Sequence, residues 1–182
     1  FGHTGEAVLD RLLPGGFHHV RQSLRVVDLL ERGGLGLNLT AEVREGIERH
    51  SKGKGPILST DPRRAASTLE AQVVRLADII AYLNHDLADA IRGRVLTIDD
   101  VPRHLLEVVG RTRSEAITVM ISDVLEATDL DALRLIRVSE TGNQVMTELR
   151  TFLHERVYDN PVVHGELVKA EQVLQVLWER LV

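Results

Sequence analysis

The chain has 182 residues, of which 43% are hydrophobic and 27% charged, a composition typical of a folded domain with a buried core. Its 27 Asp and Glu outnumber its 22 Lys and Arg, and the net charge of −5 excludes a general attraction for nucleic acid or anionic membranes. There is no cysteine, which excludes disulfides and thiolate sites and fits a reducing, cytoplasmic location. No apolar run approaches the length of a membrane span, about 18 residues.

Apolar residues recur at steps of three and four along most of the chain, the spacing that buries one face of an α-helix. Helices are predicted over residues 18–32, 40–50, 67–93, 114–128, 143–158 and 165–182. No stretch alternates in the manner of a half-buried strand, so the predicted fold is an all-α helical bundle. Residues 50–67, rich in Gly, Pro and Ser, are predicted to form a mobile loop.

The longest predicted helix has the clearest apolar stripe. Ser67 with Glu70 three residues later is predicted to cap its start, and Gly93 to end it. Ser114 is predicted to cap the helix that follows. The residues predicted to share the buried stripe are Val73, Leu76, Ile80, Leu83, Leu87 and Ile91.

The opening stretch "FGHTGE" places His3 three residues before Glu6, so the two share a face if the segment is helical. A carboxylate beside an imidazole fixes its tautomer and stabilises the imidazolium, which makes a usable general acid and base. The alternative is a solvated first turn with no chemical role.

A second candidate cluster lies on the longest predicted helix. Asp78, Tyr82 and Asp86 follow one another at steps of four and therefore span an arc of roughly 80°. Asp78 is predicted to border the apolar stripe, where a carboxylate needs a metal or a buried cation as its partner. The alternative is a partly exposed carboxylate that pairs with Arg75 or Arg92.

Histidines and lysines form a third group. His18 and His19 are adjacent, and on a helix neighbouring side chains point in different directions, so at most one is expected to face a site. The stretch "HSKGKG" joins His50 to Lys52 and Lys54 on a glycine-bearing loop suited to phosphate, although it lacks the spacing of a P-loop. A solvated basic loop is the alternative.

Five stretches occur in the order "FGHTGE", "FHHVRQSLRVV", "GLNLTAEVREGIERHSKG", "LEAQVVRLADIIAYLNHDLADAIR" and "LRTFLHERVYDNPVV". Together they closely resemble the bacterial dGTPase-like deoxynucleoside triphosphate triphosphohydrolases of the HD-domain superfamily, over essentially the whole chain. The most specific element is A-D-x-I-A-Y-x-x-H-D at residues 77–86. The resemblance implies an HD-domain-like helical bundle.

The resemblance also implies a divalent metal, Mg²⁺, Mn²⁺ or similar. In that family a histidine, then an adjacent His-Asp pair, then a distant aspartate ligate the metal, and Asp78 matches the last of these. The chain starts at the Phe downstream of the other three. Residues 1–182 are therefore expected to be the C-terminal part of such an enzyme, N-terminally truncated, without the upstream ligands and inactive alone.

Further site residues follow from the same resemblance. His3 and Glu6 match the family's catalytic pair. His19 matches a pocket histidine, although Val20 and Arg21 replace the Asn and Glu expected after it. The residues that match substrate-binding positions are His19, Lys52, Tyr82 and Asp86, with Lys52 at a phosphate-contacting lysine and the last two on the sugar and phosphate side of the pocket.

The implied activity is metal-dependent hydrolysis of a dNTP, such as dGTP, to deoxynucleoside and tripolyphosphate. The implied partners are the dNTP substrate, a dNTP as a candidate allosteric activator, and further copies of the chain in a homo-oligomer, with no membrane and no nucleic acid. Two alternatives stay open: a different HD-type nucleotide phosphohydrolase, and a regulatory or scaffold protein that binds dNTPs without turnover.

Overall fold

The structure is a computed structural model that describes residues 2–51, 57, 66–132 and 134–182. Among these residues none forms a strand, so the all-α prediction is confirmed for them. The nine α-helices in the described part are α1 Gly2–Leu12, α2 His19–Arg25, α3 Glu31–Gly34, α4 Ala41–Arg49, α5 Leu69–Arg92, α6 Arg103–Val109, α7 Arg113–Ala127, α8 Glu140–Leu153 and α9 Pro161–Leu181. One π-helical turn, Val26–Leu30, follows α2, and another, His154–Tyr158, follows α8.

The core forms where α7 and α8 pack against α5 and α6 packs against α7 and α8. Leu83 of α5, Leu105 of α6 and Leu153 of α8 are almost completely buried. Packing of an apolar face supplies most of a helix's stability in a protein. The apolar residues of α5 recur at steps of three and four and so form one such face. The α5 helix therefore provides the rigid base on which one half of the candidate site rests.

The buried stripe of α5 differs from its prediction at the N-terminal end. Val73 is 50% exposed, whereas Gln72 and Arg75 are buried. The amide of Gln72 donates to the Ala66 carbonyl at 2.9 Å, and its oxygen accepts from the Ile136 N–H at 2.9 Å. Because these partners satisfy polar groups in the interior, a pattern based on hydrophobicity alone assigned the wrong residue to the core.

Two predicted caps are also wrong by one or two positions. Thr68 caps α5 by accepting from the Ala71 N–H at 3.2 Å, while Ser67 donates its backbone N–H and its hydroxyl to Glu45 of α4. At α7 the cap is Thr112, which forms a reciprocal capping box with Glu115, in place of Ser114. The predicted end of α5 at Gly93 is confirmed.

No helix in the described part of the chain is long and apolar enough to cross a membrane.

The predicted loop 50–67 lies mostly outside the described residues. Two further helical segments, Ile98–Asp100 and α6, fall between predicted helices and were not predicted.

We predict that Leu83→Ala lowers the free energy of unfolding by about 2–5 kcal/mol, since it leaves a cavity at a fully buried position. Val73→Ala on the same helix should change it by no more than about 0.5 kcal/mol, because that side chain is half exposed. Urea unfolding of both variants measures the difference. Equal losses would contradict the observed stripe and restore the predicted one.

Candidate functional site

The first part of the candidate site forms where the start of α2 turns back onto α1. The turn between them depends on Gly16, whose φ of +67° favours glycine and where a Cβ would lie 2.6 Å from the Asp10 carboxylate. That carboxylate accepts from the Phe17 N–H at 2.7 Å. The turn therefore directs His18 and His19 towards Glu6, which lies four residues before Asp10 on α1.

Glu6 holds His19 by three contacts. One carboxylate oxygen accepts from the His19 backbone N–H at 2.8 Å, and both oxygens lie 3.0 Å from Nδ1 of the ring. Because an ionised carboxylate can only accept, Nδ1 carries a proton, and in the neutral form of the ring Nε2 keeps its lone pair. The side chains are 21% and 37% exposed, so the pair is accessible to small solutes.

Burial raises the pKa of Glu6, but the hydrogen bonds from the backbone and the ring of His19 outweigh it and the net effect lowers the pKa below its ordinary value of 4.5. Glu6 is therefore a carboxylate across the neutral range. An ionised acceptor beside an imidazole is the arrangement that general acid–base chemistry requires.

His18 and His50 complete this cluster. The rings of His18 and His19 stack with centroids 5.0 Å apart and planes 16° apart, and His50 meets His19 edge-on at 5.4 Å. The expectation that at most one of the adjacent histidines faces a site assumed that both lie inside a helix, and this premise is wrong, because His18 is not inside α2. It is the N-cap of α2, with an extended backbone and a ring nitrogen that accepts from the Val20 N–H at 3.3 Å.

The structure does not join His3 to Glu6 by a hydrogen bond. Both lie on α1 at the predicted spacing, but His3 is exposed, and the hydrogen bonds of Glu6 among the described residues go to His19. The carboxylate and imidazole that the sequence suggested are thus both present, with a different histidine as the hydrogen-bonded partner. The proposed catalytic role of His3 stays a prediction.

The second part of the candidate site lies along α5 and at the end of α8. Tyr158, in the π-helical turn, donates its hydroxyl proton to the Asp86 carboxylate. Burial raises the pKa of Tyr82, one turn before Asp86, and the nearby Arg150 guanidinium of α8 opposes that rise. Burial raises the pKa of Tyr158, and the adjacent Asp86 charge raises it further. Two hydroxyls, a carboxylate and a guanidinium therefore meet at the edge of the core.

Asp78 has an exposed side chain at the border of the buried stripe of α5, where Arg75, three residues earlier, and Ile79, the next residue, are both buried. Because the carboxylate is exposed to solvent, it does not need the metal or buried cation that a buried carboxylate would require. Of the two arginines in the alternative, Arg75 and Arg92, the second contacts Asp89 at 3.4 Å. Asp78 still lies one turn from Tyr82 on the same helix.

Potential metal ligands gather at only one place in the described residues. Ligand atoms of Glu6, His18 and His19 all lie within 4.8 Å of one another. Asp78 is not part of this group. Lys52, predicted to contact phosphate, lies outside the described residues.

Sequence reasoning assigned no role to Tyr158 or Arg150, although both occur in the quoted stretch "LRTFLHERVY". The available signal was their position at the border of an apolar face whose members Leu149, Phe152 and Leu153 are buried. A tyrosine and an arginine at such a border bury their stems and direct their polar ends to neighbouring groups.

These features define an all-α protein with a carboxylate-held histidine at one helix junction and a tyrosine–carboxylate–guanidinium cluster at another. Over 180 residues the chain is 53% identical to a protein of Desulfatibacillum aliphaticivorans named "Deoxyguanosinetriphosphate triphosphohydrolase-like protein", an alignment that covers 98% of this chain and 51% of that protein. A protein of the same name from Caldanaerobacter subterraneus is 43% identical, with 98% and 49% covered, and one from Geobacter metallireducens 36% identical, with 100% and 58% covered.

The chain is therefore a homologue of the deoxyguanosinetriphosphate triphosphohydrolase-like proteins over almost all of its own length. It spans about half the length of the curated relatives it matches. No family model matches the chain.

We predict that Glu6→Gln changes the pH dependence of stability. Because the pKa of Glu6 is lowered on folding, its contribution is fully present above pH 4.5 and is lost as the pH falls through the folded-state value. Unfolding in urea between pH 3 and pH 7 should show wild type more stable than the variant near neutrality and the two converging in acid. In a His19→Ala background the same substitution should have a much smaller effect. Superimposable curves for wild type and Glu6→Gln would contradict the assignment.

Proposed function

We propose that the protein hydrolyses deoxynucleoside triphosphates, dGTP among them, to the deoxynucleoside and tripolyphosphate. The observation that carries the proposal is the Glu6–His19 pair, an accessible imidazole oriented by an ionised carboxylate. Homology to proteins named for dGTP triphosphohydrolysis supports the choice of substrate class. The activity is proposed for the protein as a whole, since the chain spans about half of those relatives.

The reaction fixes where the proton must go. Water attacks the α-phosphorus, the bond from that phosphorus to the 5′-oxygen breaks, and the oxygen of the water stays on tripolyphosphate. The attacking water loses a proton and the 5′-oxygen gains one. An imidazole whose Nδ1–H is held by Glu6 presents Nε2 as an acceptor and, once protonated, as a donor, so His19 is suited to this exchange.

The second cluster is proposed as the substrate-binding side of the site. Tyr82 and Tyr158 offer aromatic faces for the deoxyribose, and Arg150 offers a guanidinium to phosphate oxygens. Asp86 is proposed to orient Tyr158, because its carboxylate accepts a hydrogen bond from the Tyr158 hydroxyl. The family resemblance described in the sequence analysis supports two further proposed roles, Lys52 as a phosphate contact and His3 as a catalytic residue.

A divalent metal is part of the proposal because the family resemblance implies one, with Asp78 at the position of one ligand. When bound, such a metal lowers the pKa of a coordinated water and polarises a phosphate oxygen. The described residues do not assemble a site around Asp78, which is exposed and apart from the one group of close ligands. A single carboxylate does not hold a metal. The homo-oligomer, the allosteric dNTP, the HD-domain identity and the cytoplasmic location stay predictions.

We predict that the whole protein, rather than residues 1–182 alone, releases deoxyguanosine and tripolyphosphate from dGTP with Mn²⁺ in ¹⁸O-labelled water, with the label on tripolyphosphate. Mass spectrometry of both products measures this. Label in the nucleoside hydroxyl, or stepwise release of orthophosphate, would contradict the proposal and favour another nucleotide phosphohydrolase. Binding of dGTP without product would favour the regulatory alternative.

A second prediction separates the two histidines near Glu6. His19→Ala should lower the single-turnover rate by about 10²–10⁴, the usual contribution of a positioned acid or base, with little change in dGTP affinity. His3→Ala should have a smaller effect, because Glu6 does not hold its ring. Stopped-flow or quenched-flow rates and dissociation constants of both variants provide the measurement. A large rate loss in His3→Ala with His19→Ala unaffected would reassign the pair to His3 and Glu6.

A further inference from the structure

The cluster of Glu6, His18 and His19 has the composition of a transition-metal site. Two imidazoles and a carboxylate are the ligand set that Zn²⁺ accepts in many proteins, whereas Mg²⁺ prefers a shell of oxygens. The chain contains no cysteine, so nitrogen and oxygen ligands of this kind are its strongest donors to such an ion. The three residues come from two helices that the Gly16 turn brings together.

The distances between Glu6 and His19 are close to those of two ligands on one ion. Two ligands at about 2.0–2.1 Å from a tetrahedral Zn²⁺ lie about 3.3 Å from each other. The Glu6 oxygens already lie 3.0 Å from Nδ1 of His19, where a proton now occupies the space between them. A metal in that place would bind Nδ1 of the other neutral tautomer, whose proton lies on Nε2, with little movement of either residue.

His18 supplies the third donor. Its ring is stacked on that of His19, and its ligand atom lies within 4.8 Å of those of both partners. Its present hydrogen bond, from the Val20 N–H, is long at 3.3 Å, so little is lost if the ring moves towards an ion. The side chain is exposed, which leaves a path for the metal and a fourth position for water.

We propose that Glu6, His18 and His19 form a site for Zn²⁺ or a similar transition metal, separate from any metal held by Asp78. The site goes beyond the proposed function and does not depend on it. If the protein also hydrolyses dNTPs, an ion at this place competes with the proton exchange assigned to His19, so Zn²⁺ is expected to inhibit turnover there.

The test is Zn²⁺ titration of the full chain by calorimetry, with Mg²⁺ in large excess. His18→Asn is the informative variant, because asparagine is a preferred N-cap and keeps the start of α2 while it removes the imidazole. The matched control is His104→Asn. His104 is also exposed and contacts a carboxylate, that of Glu148, at 2.7 Å, but has no second histidine in the described cluster around it.

We expect one Zn²⁺ per chain, an affinity at least about tenfold weaker in His18→Asn, and no change in His104→Asn or in Asp78→Ala. Circular dichroism checks that each variant keeps its helices. The proposal is overturned if His18→Asn binds as tightly as wild type, if His104→Asn weakens binding equally, or if Asp78→Ala abolishes it. The Asp78→Ala arm also separates this site from the metal requirement of the proposed hydrolysis.

Discussion

The candidate site depends on the contact between the Glu6 carboxylate and both the backbone and the ring of His19. The backbone hydrogen bond fixes where α2 starts, and the ring contact fixes which nitrogen carries a proton. His3, on α1 itself, forms no hydrogen bond with Glu6. The site is therefore a property of the junction between two helices rather than of one short motif.

That junction is held from two sides. α1 packs against α9, where Arg11 pairs with Glu171 at 2.9 Å, and α2 packs against α4, which in turn lies on α5. The second cluster, Tyr82, Asp86, Arg150 and Tyr158, is anchored differently, since its helices carry the fully buried Leu83 and Leu153. One part of the site thus rests on the main core, while the other combines polar contacts with the buried side chains of Val8 on α1 and Val20 on α2.

Periodicity predicted most helices because the apolar spacing that defines a buried face is local. It failed where the partner was distant: Gln72 is buried because Ala66 and Ile136 satisfy its amide, which no local pattern reveals. The helix caps were misplaced for a similar reason. Several neighbouring hydroxyls could cap the same helix, and Ser67 is hydrogen-bonded to Glu45 of another helix. At the site, the residue types were predicted but not the pairing, because Glu6 meets His19 through a turn whose geometry depends on Gly16. The family resemblance identified Tyr82 and Asp86 as substrate-binding residues. The hydrogen bond from Tyr158 to Asp86 could be seen only in the structure.

The orientation of the His19 ring by Glu6 is the central claim, and its direct test is the tautomer of that ring. Two-bond ¹⁵N–¹H correlation spectra of the histidine side chains, recorded where the imidazole is neutral, distinguish a proton on Nδ1 from one on Nε2. The structure predicts the Nδ1–H form for His19 and a shift towards Nε2–H in Glu6→Ala, because the acceptor of the Nδ1–H proton is then removed. An Nε2–H ring in wild type, or an identical tautomer in the variant, would contradict it.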